Sequence, residues 1–185
     1  LLKHIEAVHE VNEQMGGITI LAGSEVDILP DGTLDYDDDL LSKLDIVVAS
    51  PHAALSQSSE DATKRLLKAI EHPRVDIIGH PTGRIINKRK GLEPYLPTLI
   101  QAAKEHDTAL ELNANSYRLD LRDIQVRAAC EGGARIAINT DAHRPEDFNQ
   151  LKYGILTARR GWAMPENCIN CLEHDKLHAW LRRNC

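Results

Sequence analysis

LDIVVASPHAALSQSSEDATKRLLKAIEHPRVDIIGH, residues 44–80, holds two apolar runs, LDIVVAS (44–50) and VDIIGH (75–80). Between them Ala62, Leu66, Ala69 and Ile70 recur at helical spacing, with Ser58 or Ser59 as a cap and His72-Pro73 as the stop. Strands that are apolar throughout are buried on both faces, and strand, helix and strand in succession form the parallel crossover unit.

The same alternation continues downstream. The basic loop PTGRIINKRKG (81–91) leads to a helix over about 94–106 with Leu96, Leu99, Ile100 and Ala103 on one face, then to the strand TALELN (108–113). Leu121, Ile124 and Ala128 line the next helix, Gly132-Gly133 ends it, and RIAINTDAH (135–143) is a further strand. Helical stretches near 147–160 and 173–183 follow. Upstream, ITILAGSEVDIL (18–29) reads as a buried strand, and PDGTLDYDDD (30–39) as an acidic turn and loop. Leu1, Ile5, Val8, Val11 or Asn12, and Met15 mark an amphipathic helix with no cap before it, as in a chain whose beginning is missing. The prediction is one α/β domain over 1–185, either an open doubly wound sheet or a barrel.

With 185 residues, 42% hydrophobic and 27% charged, the chain suits one ordinary domain and excludes a membrane or a disordered class. No apolar run approaches the roughly 18 residues of a spanning helix. A net charge of −6 argues against a surface that is basic throughout, while allowing a local basic patch. Cys130, Cys168, Cys171 and Cys185 without a signal-peptide pattern read as reduced cytosolic thiols, and the single C-x-x-C at 168–171 as incidental rather than a zinc site.

The chemistry gathers at the strand ends. In order they deliver Glu25, His52, His80, Glu111 with Asn113, and Asp141 with His143. These donors suit Zn, Mn or Fe, and the C-terminal ends of parallel strands open on one face. Singly, Glu25 could be a loop acid, His52 a turn residue and Asp141 a helix cap. Five strands ending this way in succession point instead to a metal cluster, since such groups rarely stand beside a buried strand without partners. Asp141 and His143, two apart in an extended segment, face one side. The carboxylate of Glu25 has two oxygens and can bridge two cations, while Glu111 and Asn113 are weaker candidates. His4, His9, His72, His106, His174 and His178 fall in helical patterns or loops and read as surface histidines. Arg84 stands where a guanidinium can fork onto a phosphate, and Arg118 is a second such contact. The run Lys88 to Lys90 could meet further phosphates, although a solvated loop is its preferred reading. The residues alone thus reach a metal-dependent hydrolase acting on a charged substrate.

GSEVDIL, LDIVVASPH, DIIGHPTGR, LELNANSYRLDL and INTDAH resemble the successive motifs of the polymerase-and-histidinol-phosphatase (PHP) superfamily. EVDILPDGTLDY with GHPTGR, and GILTARRGWAMPENCINC near the end, are most similar to the C-terminal PHP domain of bacterial family X DNA polymerases. The resemblance implies a distorted, TIM-like (β/α)7 barrel, five of whose seven strands are present, with up to three Mn2+ or Zn2+ ions at the strand C-termini. It implies metal roles for Glu25 as the bridging carboxylate, for His52 and His80 on the second metal, for Asp141 on the first and for His143 on the third. Catalysis then falls to Glu25, Asp141 and Arg84, and substrate binding to Arg84, Arg118 and Asn113. The implied activity is metal-dependent 3′–5′ exonuclease or related 3′ phosphodiesterase action on DNA 3′ ends in repair. The implied partners are the upstream polymerase domains of the same chain, in the cytoplasm and away from any membrane. The alternatives are a histidinol-phosphate-type monophosphatase and a non-catalytic module bracing a polymerase. The family's opening His-x-His strand has no counterpart here, so the chain is expected to bind metal incompletely and to hydrolyse poorly alone.

Overall fold

A computed structural model describes residues 1–183; Cys185 lies outside the described residues. Five strands, β1 (Gly23–Asp27), β2 (Ile46–Ser50), β3 (Ile77–Ile78), β4 (Ala109–Asn113) and β5 (Ile136–Asn139), pair in parallel in the order of the sequence. That order removes one of the two architectures left open above. Right-handed crossovers that always step the same way place their helices on one face, whereas a doubly wound sheet needs a reversal. The sheet is a partial TIM-like wall.

The helices are α1 (Leu2–Gln14), α2 (Asp38–Leu41), α3 (Ser59–Ile70), α4 (Leu96–Glu105), α5 (Asp123–Gly132), α6 (Leu151–Arg160) and α7 (His174–Leu181). Ser58 caps α3 by accepting from the Asp61 N–H, and Lys68 complements its last turn. Val26, Val47, Ala49, Ile78, Leu110 and Leu112 on the sheet's outer face pack against Leu66, Ile70 and Leu99 of α3 and α4. Each fully buried Leu or Ile contributes about 1.5–3 kcal/mol, so this layer holds the strand ends in place. On the inner face Ile77, Ala109 and Ala137 lie under Ile169 and Trp180, so the C-terminal segment plugs the foot of the wall. Arg183 fixes that plug through a 2.9 Å ion pair with buried Asp76.

Three sequence readings change. The strand predicted over 18–29 shrinks to Gly23–Asp27, because Asn12 of α1 takes both the N–H and the carbonyl of Ile20 and occupies the backbone groups a ladder would use. Ile124 is 67% exposed, and Val126 and Ala129 form the buried face of α5, since the helix starts only at Asp123 and Leu121 sits in the segment before it. The stretch near 147–160 opens as a 3-10 turn, Pro145–Gln150, before α6. The C-x-x-C forms a short 3-10 turn with Cys168 buried and Cys171 exposed. Beside it, the Asn170 amide bonds both backbone groups of Ile138 and so covers part of the β5 edge. Among the described residues, no helix is long and apolar enough to cross a membrane.

Candidate metal centre

Glu25 sits on β1 with its side chain on the inner face, paired in register with Val48 of β2. His52 follows β2 and His80 follows β3, so three neighbouring strands each deliver one donor. Their ligand atoms all lie within 4.8 Å of one another, and among the described residues no other such group of three occurs. His80 Nε2 is 2.9 Å from Glu25 Oε1, and His52 Nε2 is 3.5 Å from the same oxygen. The two rings meet edge-on with centroids 5.1 Å apart.

The strand mouth is braced from behind. Asp27, two residues beyond Glu25, hydrogen-bonds His52 Nδ1 and leaves Nε2 facing Glu25. Arg65 of α3, 1% exposed, donates to the carbonyls of Ile28 and Ala53, clamping the loops after β1 and β2 to the same helix. His80 is 1% exposed and takes a positive φ of 24°. Asp141 is likewise held at φ 54°, and non-glycine residues in this region concentrate at functional sites.

The charges are uneven. The hydrogen bond with His80 holds the Glu25 carboxyl at about 2, against burial, which acts the other way. Burial would lower His80, yet its hydrogen bond to Glu25 and the nearby carboxylates leave it above its ordinary value. Burial pushes Glu111 up to about 7 although it accepts from the His80 N–H at 2.6 Å and from Asn139 Nδ2 at 2.8 Å. Glu111 therefore lies within the site as an acceptor that steadies His80, and Asn113 Nδ2 links it to Asp141 with 3.2 Å contacts to both.

Glu25, Glu111, Asn113, Asn139 and Asp141 share a cavity of about 280 Å³. Asp141 stays outside the three-donor group and faces Arg118 Nε at 3.5 Å. His143 turns away: its side chain is 82% exposed and its Nδ1 lies 2.9 Å from the Asp141 carbonyl oxygen. Arg84 spends Nε and Nη2 on the carbonyls of Arg118 and Leu119, both at 2.7 Å, and so anchors the loop that presents Arg118. Of the Lys88–Lys90 run, Lys90 pairs with Glu93 at 2.9 Å and Arg89 donates to the Gly83 carbonyl.

Sequence reading missed Asp27, Arg65, Asn139 and Asp120. Asp27 and Asn139 obey the alternation that puts Glu25 and Asp141 on the inner face, which was the available signal. Asp120 is fully buried and accepts from both the N–H and the hydroxyl of Thr82, pinning the segment just after His80. A buried Arg on an amphipathic helix carries no mark in the sequence that separates it from a solvated one.

The donor set fits one divalent cation: a carboxylate oxygen and two imidazole nitrogens converge, Asp27 orients the His52 ring, Glu111 holds the His80 backbone, and the cavity opens beside them. The chain is 45% identical over 184 residues to the DNA polymerase/3′-5′ exonuclease PolX of Bacillus subtilis, a match covering all of this chain and 32% of that protein. It is 33% identical over 183 residues to a probable phosphatase of Caldanaerobacter subterraneus subsp. tengcongensis, covering 93% of this chain and 69% of the relative. A probable phosphatase of Thermoanaerobacter sp. strain X514 shares 36% over 181 residues, 92% of this chain and 71% of its own. No family model matches the chain. The chain thus spans about a third of the polymerase and about seven-tenths of the phosphatases. A likeness at this level over most of both chains, on a wall of parallel strands that ends in metal donors, makes the chain a member of the family of PHP-type phosphoesterases to which those probable phosphatases belong.

Proposed function

We propose that the chain is the metal-dependent phosphoesterase portion of a family X DNA polymerase, a cytoplasmic repair enzyme, and acts on DNA 3′ ends as a 3′–5′ exonuclease. What supports the reading most is the convergence of Glu25, His52 and His80 at neighbouring strand ends, beside a cavity that Asp141 shares and Arg118 overlooks. Two nitrogens and an oxygen suit zinc or manganese, and such a cation supplies Lewis acidity toward a phosphate and a water more acidic than bulk.

The chain's own residues do the rest. Asp27 fixes the His52 ring, and Glu111 accepts from the His80 backbone and keeps that residue at the strand mouth. Arg118 presents a planar fork that matches phosphate oxygens, and Arg84 positions it through the loop backbone. Asp141 is the carboxylate that balances Arg118, with Asn113 orienting it. In this reading residues 1–185 are the C-terminal portion of the PHP domain. Asp141 and His143 stand outside the group of Glu25, His52 and His80, and these three donors hold about one ion.

The identity to probable phosphatases over seven-tenths of their length favours a second reading, a monophosphatase of the histidinol-phosphate kind. The deciding experiment offers manganese-loaded protein a labelled single-stranded oligonucleotide and histidinol phosphate. Stepwise release of nucleotides from the 3′ end, abolished in Glu25→Gln, is expected. Turnover of histidinol phosphate alone selects the second reading, and full activity in Glu25→Gln overturns both.

A further inference from the structure

Tyr117 is 68% exposed although its backbone is pinned on both sides: its N–H donates to Asn115 Oδ1 at 3.0 Å, and its carbonyl accepts from the Ile86 N–H at 2.7 Å. A large ring held out of the core on a fixed loop is ready-made contact surface, since little conformational freedom remains to be lost on binding. The loop runs directly into Arg118, which faces Asp141 at 3.5 Å.

On its other side the same loop is stapled to the basic segment after His80, through the Ile86 N–H and both Arg84 bonds. That segment walls a cleft of about 500 Å³ lined by five cationic side chains and one acidic one, Glu93, in a chain of net charge −6. Glu93 is taken by Lys90, and among the described residues Lys88 and Arg122 make no ion pair, Arg122 Nε lying 3.5 Å from the neutral Gln125 Oε1. Positive charge therefore exceeds negative in the cleft, and an anion offsets that excess.

We propose that Tyr117 and this cleft form a track for a single-stranded polynucleotide, a base stacking on Tyr117 and backbone phosphates resting against Lys88 and Arg122. The assignment of which end enters the Glu25 site rests on the phosphoesterase reading above; the track itself does not. Phosphate-binding cations lining a groove beside an aromatic platform are the combination that binds single strands independently of sequence. A duplex, whose bases are stacked inside, gains nothing from Tyr117.

The test is fluorescence anisotropy of a labelled ten-residue oligo(dT) with the full chain in EDTA, so that no turnover intervenes, with p-nitrophenyl phosphate hydrolysis and thermal unfolding followed separately. Tyr117→Ala is expected to weaken binding about tenfold and Tyr117→Phe to restore it. The double variant Lys88→Glu, Arg122→Glu should weaken it at least as much and lower the slope of log affinity against log salt by about 1.4. Unfolding midpoints and hydrolysis of the small ester should be unchanged. Affinity within twofold of the parent in both variants, or equal loss for a duplex of the same length, overturns the track. If the parent binds as expected yet hydrolyses neither substrate with manganese, the phosphoesterase reading fails and the track stands.

Discussion

His80 Nε2 and Glu25 Oε1 lie 2.9 Å apart although their strands, β3 and β1, are separated by β2. The contact spans the middle strand because the sheet's curvature turns both strand ends toward one point, and Gly79 leaves room for it. A Cβ on Gly79 would fall on Ser50 Oγ and stand 2.9 Å from Val48 Cγ1 of the middle strand.

Gly79→Ala is therefore expected to push β2 and β3 apart where they carry His52 and His80. Overpacking of this kind costs about 1–3 kcal/mol. Urea unfolding should show that loss, and calorimetric titration should show weaker zinc binding. Unchanged metal affinity would mean that the two histidines tolerate the displacement.

The ion pair also sets how stability of the metal-free protein follows pH. Glu25 falls from 4.5 to about 2 on folding, so its contribution is present above pH 4.5 and is lost as pH falls toward 2. His80 is raised above 6.5, so its contribution is present below pH 6.5 and is lost as pH rises through its folded value. The pair contributes fully between about pH 4.5 and 6.5. Glu25→Gln should lose most stability in that window and least above it, as measured by thermal unfolding in EDTA. A difference from the parent that is constant from pH 4 to 9 would remove the ion pair as its cause.

Arg65 makes a separate prediction. It is buried and serves carbonyls of two loops, so Arg65→Ala leaves both acceptors without their donor and opens space in α3's packed face. Leaving a buried acceptor without its donor costs about 1–3 kcal/mol for each carbonyl. Metal affinity should fall with it, because Asp27 and His52 are the chain neighbours of Ile28 and Ala53, the two residues it joins. Arg65→Lys should recover only part, a point charge being unable to reach both carbonyls as the fork does.

What could be read beforehand divides along physical lines. The alternation between residues 44 and 143 fixed parallel strands and helices because burial on both faces leaves apolar runs, and strand-end donors at 25, 52 and 80 followed from that. The choice between doubly wound sheet and barrel depended on strand order, which no local pattern encodes. Ile124 was misplaced because periodicity gives spacing without phase, and the helix starts later than its apolar residues suggested. Asp27, Arg65 and Glu111 act through partners 25 to 37 positions distant, which only the folded chain brings together.

The two arginines separate under substitution. From the sequence Arg84, four residues after His80, is the favoured phosphate contact. In the structure its guanidinium is given to the carbonyls of Arg118 and Leu119, whereas Arg118 stands 3.5 Å from Asp141, which lines the Glu25 cavity. Arg118→Ala is expected to lower kcat for both oligonucleotide and small phosphate ester by 10²-fold or more, the scale of removing one charge-stabilising donor. Zinc affinity should stay unchanged, since Arg118 holds none of the three donors. Arg84→Ala should lower activity less and also speed proteolysis of the 115–120 loop, because it acts through that backbone. Loss of activity in Arg84→Ala as deep as in Arg118→Ala, with the loop still resistant to protease, would place Arg84 on the phosphate and reverse the two roles.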